Sequence, residues 1–181
     1  MTAPAVQLVE WDRETLERGS DALLQVYAQA MQVPWSAARS RRSVMQSHLQ
    51  RDGLRAVAAL EGHQLVGVAY GYLGAPGQWW HDQVRSALTP EQAGAWLDGA
   101  FEVCELHVLP THHGRGIGRA VLEQLLAGTP ARTAVLTTPD LETRARGFYR
   151  RGGWVELVGG LVFPGDPRGF AVLARRLGSA A

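Results

Sequence analysis

The order of hydrophobic and polar positions along the chain predicts a mixture of strands and helices. Short apolar runs bounded by turn residues predict seven strands, at residues 7–12, 54–60, 64–73, 101–109, 133–137, 154–163 and 169–177. Apolar residues at helical spacing predict helices over residues 14–32, 36–51, 115–127 and 141–151. Because paired strands are followed by alternating strands and helices, the pattern predicts an α/β fold with a mixed sheet and helices on both of its faces.

Residues 74–100 interrupt this alternation with Gly, Pro and three tryptophans. A Thr-Pro-Glu-Gln sequence within them is typical of a helix start. We interpret this stretch as an insertion with one or two short helices, since long connections in compact domains often carry function. The chain length of 181 residues otherwise fits one domain, so we predict a single domain over residues 1–181 with an insertion at about 74–100.

Composition and charge narrow the class of function. A net charge of +1 argues against nucleic acid as a partner, because binding to phosphate backbones needs a basic excess. Neither a signal peptide nor an apolar run of membrane-spanning length is evident, so we expect a cytoplasmic protein that does not bind membranes. The single cysteine, Cys104, excludes an internal disulfide, and we expect no metal. All 18 basic residues are arginine.

Residues 113–118 (HGRGIG) lie where a predicted strand turns into a predicted helix. Three glycines let an anion approach the backbone, and the first N–H groups of a helix lack intrahelical acceptors, so the loop suits a pyrophosphate. A P-loop is excluded because the chain has no lysine, and the spacing Gly-x-Gly-x-Gly differs from the dinucleotide fingerprint. A glycine-rich turn that serves only close packing remains the alternative.

The same loop is similar to motif A of the GNAT superfamily of N-acetyltransferases, Gln/Arg-x-x-Gly-x-Gly/Ala. His113 occupies the Gln/Arg position, and Gly116 and Gly118 are the paired small residues. The resemblance implies binding of acetyl-CoA as co-substrate, through Leu106, Val108, His113, Gly114, Arg115, Gly116, Ile117, Gly118 and Arg119. Histidine at 113 departs from the motif, so a side-chain contact to phosphate would depend on pH.

Residues 145–154 resemble motif B of the same family, with Ala145, Tyr149 and Gly153 at its Ala, Tyr and Gly positions. A second departure stands here, since Glu142 replaces the asparagine of that motif. The two motifs and the hairpin at 54–73 extend the resemblance over roughly residues 7–177. It implies a GNAT-like fold of about seven strands and an acetyl-CoA-dependent enzyme that acetylates a primary amine directly.

Acetyl transfer to an amine needs a base for the amine and an acid for the departing thiolate. The resemblance implies Tyr149 as the acid and Glu102 as the base, whereas core packing of Tyr149 and a solvated strand start at Glu102 are the alternatives. Alternation along the strand predicts that Glu105 and His107, the fallback bases, share its other face. Whether Glu102 or another group is the base stays open.

The acceptor is a small-molecule or peptide amine that the sequence does not identify. The resemblance places the acceptor pocket near Trp35, Trp80 and Phe163, where aromatic rings suit an amine through cation–π contacts. Tryptophans in the insertion would also serve simply to pin it to the core, or to form an interface in a homodimer. Two other functions stay open: a non-catalytic acyl-CoA-binding module with a regulatory or interaction role, and a nucleotide-binding structural domain.

Overall fold

The computed structural model of the protein describes residues 5–178, and its strands form one mixed sheet. The strands are β1 (Val6–Trp11), β2 (Arg55–Glu61), β3 (Gln64–Leu73), β4 (Phe101–Val108), β5 (Thr133–Pro139), β6 (Val155–Val162) and β7 (Gly169–Arg176). Their order in the sheet is β1-β2-β3-β4-β5-β7-β6. Strand β4 is parallel to β5, whereas β1–β2, β2–β3, β5–β7 and β6–β7 are antiparallel. The predicted mixed sheet of seven strands is confirmed in this part of the chain.

The helices lie between these strands along the chain, singly or in groups. They are α1 (Arg13–Arg18), α2 (Ser20–Met31), α3 (Trp35–Ser40), α4 (Arg42–His48), α5 (Trp79–Ala87), α6 (Pro90–Gln92), α7 (Ile117–Ala127) and α8 (Arg144–Arg151). A π-helical turn at Ala93–Leu97 continues α6, and a 3₁₀ turn at Pro110–His112 precedes α7.

The described residues group into two compact units. The first unit contains the residues up to Tyr72 together with Val103–Thr129, and the second contains Leu73–Glu102 together with those from Pro130 onward. The predicted insertion at about 74–100 therefore belongs entirely to the second unit, as does α8.

In the first unit, the prediction of one helix over residues 14–32 is wrong, because the helix is interrupted at Gly19. The Gly19 N–H closes α1 by bonding to the carbonyls of Thr15 and Glu17, and α2 starts at the next residue. A Cβ atom at Gly19 would lie 2.6 Å from the ring of Trp11. The glycine thus allows β1 and the two helices to pack closely.

The predicted helix over residues 36–51 is also two helices. Pro34, whose extended backbone precedes α3, takes the N-cap position, so Ser36 lies inside the helix and does not cap it. The break falls at Arg41, whose N–H bonds to the carbonyl of Ala38, three residues back, in a tightened last turn. Arg41 therefore lies at the junction of two short helices.

The hairpin of β2 and β3 is confirmed, with Glu61 paired to Gln64 across a two-residue turn. Gly62 opens that turn at φ 62°, in the left-handed region. Farther along β3, a Cβ atom at Gly67 would lie 3.2 Å from Ile117 and 3.3 Å from Val108. Glycine at this position lets the start of α7 pack directly on the sheet.

In the second unit, the helices predicted within residues 74–100 are confirmed. Thr89 and Gln92 form a capping box at the start of α6, in which each side chain bonds to the other residue's backbone N–H. A hydrophobic core joins this segment to β5 and β7; its buried members are Val84, Leu97, Ala100, Val135, Phe163, Val172 and Ala174. Burial of these side chains fixes α5 and the π-helical turn on the sheet.

Candidate functional site

The glycine-rich loop leads from the 3₁₀ turn into α7 in the first unit. Gly114 and Gly116 have φ angles of 79° and 78°, which non-glycine residues rarely adopt. A Cβ atom at either position would meet nothing within 4 Å, so the backbone faces open space. The loop is therefore shaped by its glycines and accessible to a ligand.

The N-terminus of α7 is suited to an anion. Gly116 is its N-cap and provides no side-chain hydrogen bond to the helix. Because the first intrahelical bond is donated by Ala120, the N–H groups of the preceding turn have no helical acceptor. These donors and the positive end of the helix dipole fit a pyrophosphate, and the nearby Arg119 side chain is exposed.

Two contacts within the first unit hold the start of this loop: one joins Leu109 to β3, and the other joins His113 to the end of β4. The Leu109 N–H bonds to the Val66 carbonyl of β3 at 2.8 Å. His113 Nε2 donates to the Val108 carbonyl at 2.9 Å, so the imidazole ring caps the last residue of β4. The residue that departs from the motif therefore has a structural contact of its own.

A carboxylate anchors the other side of the loop. Glu61 accepts hydrogen bonds from Arg115 Nη2 at 2.8 Å and from His112 Nε2 at 3.2 Å. These bonds hold the pKa of Glu61 below its ordinary value, and the bond from Arg115 has the larger effect. Arg115, predicted to bind the cofactor, is thus paired with a carboxylate in this structure.

Glu105 and His107 on β4 form the centre of a second cluster in the first unit. His107 Nε2 donates to Glu105 Oε2 at 2.6 Å, which confirms that the two residues share one face of the strand. Arg41 Nη2 donates to the other oxygen, Oε1, at 2.5 Å. Burial alone would raise the pKa of Glu105, but the hydrogen bond from His107 and the charge of Arg41 hold it below its ordinary value.

Aromatic rings surround this cluster. The Arg41 guanidinium carbon lies 4.9 Å from the ring centre of Tyr27, and His107 packs edge-on against the same ring at 5.1 Å. Nearby, His48 Nδ1 lies 3.1 Å from the Tyr70 hydroxyl. Burial lowers the pKa of His48 from 6.5 to about 4, so this imidazole is neutral at physiological pH.

The two residues implied as catalytic, Glu102 and Tyr149, both belong to the second unit. Glu102 is 4% exposed and pairs in register with Val135 of β5. Tyr149 is 9% exposed, and its ring packs edge-on against Phe148 at 5.1 Å and Trp154 at 5.5 Å. The burial of Tyr149 agrees with core packing, and the catalytic roles of both residues stay predictions.

The three aromatic residues predicted to bind the acceptor do not lie in one compact unit. Trp35 starts α3 in the first unit and is 40% exposed. In the second unit, Trp80 Nε1 donates to Thr137 Oγ1 at 3.2 Å. Phe163 is buried between the rings of Trp79 and Phe170. Trp80 and Phe163 thus have packing roles, and their acceptor contacts stay predictions.

Sequence reasoning missed Tyr27 and Arg41 as site residues. Tyr27 is one apolar position of a helical stripe, and Arg41 is one of several arginines in a basic helix. The only available signal was that Glu105 shares a strand face with His107. A carboxylate needs a partner when it is buried, so Glu105 was a position at which to expect one.

Residues 5–178 contain no group of three or more His, Cys, Asp or Glu side chains that could hold a metal ion. Within the same range, every helix is too short or too polar to cross a bilayer.

Comparison with known sequences places the chain among acetyltransferases. A sequence model of the acetyltransferase (GNAT) family matches residues 20–154. The GCN5-like protein acetyltransferase Rv2170 of Mycobacterium tuberculosis is 36% identical, over 96% of this chain and 98% of its own length.

Solved structures agree on the fold. The ribosomal-protein-S18-alanine N-acetyltransferase of Escherichia coli superposes with a TM-score of 0.66 at 15% identity, covering 98% of this chain and 97% of its own. The protein yncA of Salmonella typhimurium, solved with its cofactor acetyl-CoA, gives a TM-score of 0.61 at 14% identity, with coverages of 98% and 96%. At these identities the superpositions establish the fold alone.

Proposed function

Because the chain belongs to the GNAT acetyltransferase family, we propose that it transfers an acetyl group from acetyl-CoA directly to a primary amine of a protein or peptide. Family membership makes the protein an acyl-CoA-dependent transferase. The observation that supports a protein acceptor is the near full-length match to a relative that is itself called a protein acetyltransferase.

The glycine-rich loop supports acetyl-CoA as the donor. Acetyl-CoA supplies an acyl group activated as a thioester. The backbone N–H groups of Ile117, Gly118 and Arg119 would hold the pyrophosphate at the start of α7, where Gly116 provides no competing side-chain cap. The exposed guanidinium of Arg119 would add a charged contact to phosphate.

Two proton transfers accompany the reaction. The amine nitrogen bonds to the thioester carbon while the carbon–sulfur bond breaks, so the amine loses a proton and the sulfur gains one. In our proposal, the Glu102 carboxylate accepts the amine proton and the Tyr149 hydroxyl donates to the sulfur. The family resemblance of β4 and α8 supports these two assignments.

The acceptor class can be tested cleanly because the 181-residue chain has no lysine. Any acetyl-lysine that forms must therefore belong to the acceptor. We expect CoA release, and acetylation detectable by mass spectrometry, with peptides that carry a lysine or a free α-amine. Release with polyamines or aminoglycosides alone would contradict a protein acceptor, and no release with any amine would favour the non-catalytic module.

The cofactor loop can be tested by Gly116→Val. The substitution introduces a branched side chain at φ 78°, in the open space where the phosphate would lie, so we expect calorimetric CoA binding to be lost. Gly165→Val is the matched control, since Gly165 has φ 87° and equally open surroundings in another turn. Unchanged CoA affinity in Gly116→Val would contradict the assignment of the loop.

The acid role of Tyr149 can be tested by Tyr149→Phe, which keeps the ring packing. Loss of a general acid should lower kcat by about 100-fold or more with little change in KM. Tyr72→Phe removes the same hydroxyl from another buried ring and should leave kcat near the wild-type value. Wild-type turnover by Tyr149→Phe at every pH would show that Tyr149 serves packing alone.

A further inference from the structure

The cluster around Glu105 combines a buried carboxylate with an aromatic face, which is the chemistry that recognises an organic cation. We propose that this pocket binds a cationic side chain of the acceptor, an alkylammonium or guanidinium group, and that Arg41 occupies the pocket when no acceptor is bound. The proposal rests on the proposed function, since it specifies the acceptor's charge.

The two oxygens of Glu105 have different partners. His107 on the same strand holds Oε2 at 2.6 Å, whereas Arg41 from the break between α3 and α4 holds Oε1 at 2.5 Å. If Arg41 leaves, His107 still orients the carboxylate and Oε1 becomes available to another donor. A cation is then required there, because a buried carboxylate without a partner is costly.

Tyr27 supplies the second element of recognition. The Arg41 guanidinium lies over its ring at 4.9 Å, and the edge contact from His107 fixes the ring plane. A carboxylate and a π-face around one position are the two features that bind alkylammonium and guanidinium groups. An apolar wall accommodates the alkyl stem of such a group; it is formed by Leu23, Leu24, Val44 and Met45.

Arg41 has the properties of an exchangeable occupant. Its side chain is 42% exposed, whereas those of Glu105 and His107 are 11% and 10% exposed. With Arg41 in place, the free volume of the pocket is about 10 Å³, which is room for about one water molecule. A larger cation can therefore enter only by replacing the Arg41 guanidinium.

The position of the pocket links it to the acetyl donor. Glu105 and Val108 lie on the same strand, roughly 10 Å apart at the usual rise per residue. Val108 accepts the hydrogen bond from His113 in the glycine-rich loop. A cation bound at Glu105 would thus lie in the first unit, on the strand that leads into the proposed cofactor loop.

The proposal can be tested with n-butylguanidinium and n-butylammonium chloride as probes, and with n-butanol as the neutral control. We expect weak saturable binding to the wild type, together with a shift of the Arg41 Nε–H resonance in NMR spectra. Arg41→Ala removes the internal competitor and should bind either cation about tenfold more tightly or better. Arg42→Ala is the matched control, because the adjacent Arg42 pairs with Asp21 on the surface and should leave affinity unchanged.

Glu105→Gln should abolish cation binding. Should it fail to fold, Tyr27→Leu in the Arg41→Ala background takes its place and should weaken binding several-fold. The proposal is overturned if the wild type shows no saturable response to either cation, since Arg41 is then a permanent structural partner. It is also overturned if Arg41→Ala binds butanol as well as the cations. None of these measurements requires acetyl transfer, so their failure is distinguishable from failure of the proposed function.

Discussion

His113 is the residue at which the glycine-rich loop departs most from the motif it resembles. Its Nε2–H caps the Val108 carbonyl at 2.9 Å, a contact that the neutral imidazole can make. We infer that the backbone amides of the loop provide the phosphate site and that His113 holds the loop against β4.

This role predicts how His113 variants bind CoA. His113→Gln retains a donor and should keep the CoA affinity within about twofold of the wild type, whereas His113→Ala loses a hydrogen bond and should bind about fivefold more weakly. Calorimetric Kd values at about pH 6 and pH 8 are the measurement. If the wild type alone binds more tightly at the lower pH, the imidazolium contacts phosphate directly.

The glycine-rich loop and the Glu105 cluster differ in how far the sequence alone could predict them. The loop was predictable because its glycines lie close together in the chain and their spacing is itself the signal. Arg41 and Glu105 are 64 residues apart, and their pairing arises only when the broken helices pack against β4. No local pattern distinguishes Arg41 from the arginines around it.

At the scale of elements, the break between α1 and α2 depends on close packing at Gly19. Gly19→Ala would place a methyl group 2.6 Å from the Trp11 ring, so we expect a loss of about 1–3 kcal/mol in the free energy of unfolding. Urea denaturation measures it. Gly94→Ala is the control, since the nearest atom lies 4.0 Å away. Equal free energies of unfolding in the two variants would mean that the Trp11 ring of β1 moves aside for the methyl group.

The ends of the strands were predicted to within a few residues, whereas α1 and α2, and likewise α3 and α4, were each predicted as a single helix. Strand ends coincide with turn residues such as Gly62, which the sequence displays. The apolar stripe, in contrast, continues across the helix break, because Leu16 in α1 and Leu23 in α2 are both buried. Periodicity therefore reports which residues face the core but not where the hydrogen-bonded helix ends.

At the scale of the whole molecule, the strand order depends on long-range pairing. The chain reaches β6 before β7, yet β7 pairs with both β5 and β6. The apolar runs predict that these strands exist, but their alternation is compatible with several neighbours. The family resemblance, carried by the two motifs, was what fixed the expected fold.

The pH dependence of the free energy of unfolding should reflect the protonation of His48. Its pKa is about 4 in the folded protein and 6.5 in the unfolded chain, so between these values the unfolded state binds a proton that the native state does not. The free energy of unfolding should therefore fall as the pH is lowered from 6.5 towards 4. The groups that face His48 are the Tyr70 hydroxyl and Tyr72 ring, together with the charges of Glu105, Arg51 and Arg41.

His48→Gln removes the imidazole that takes up a proton on unfolding. The free energy of unfolding of this variant should therefore fall less steeply between pH 6.5 and about 4, as measured by urea denaturation in steps of pH. His63→Gln, in the exposed turn between β2 and β3, is the matched control and should keep the wild-type slope. Carboxylates such as Asp166, whose pKa is about 2 because of its bonds from Arg168, are common to all three proteins. Their contribution cancels in the comparison, so an unchanged slope in His48→Gln would show that His48 is protonated without cost in the folded state.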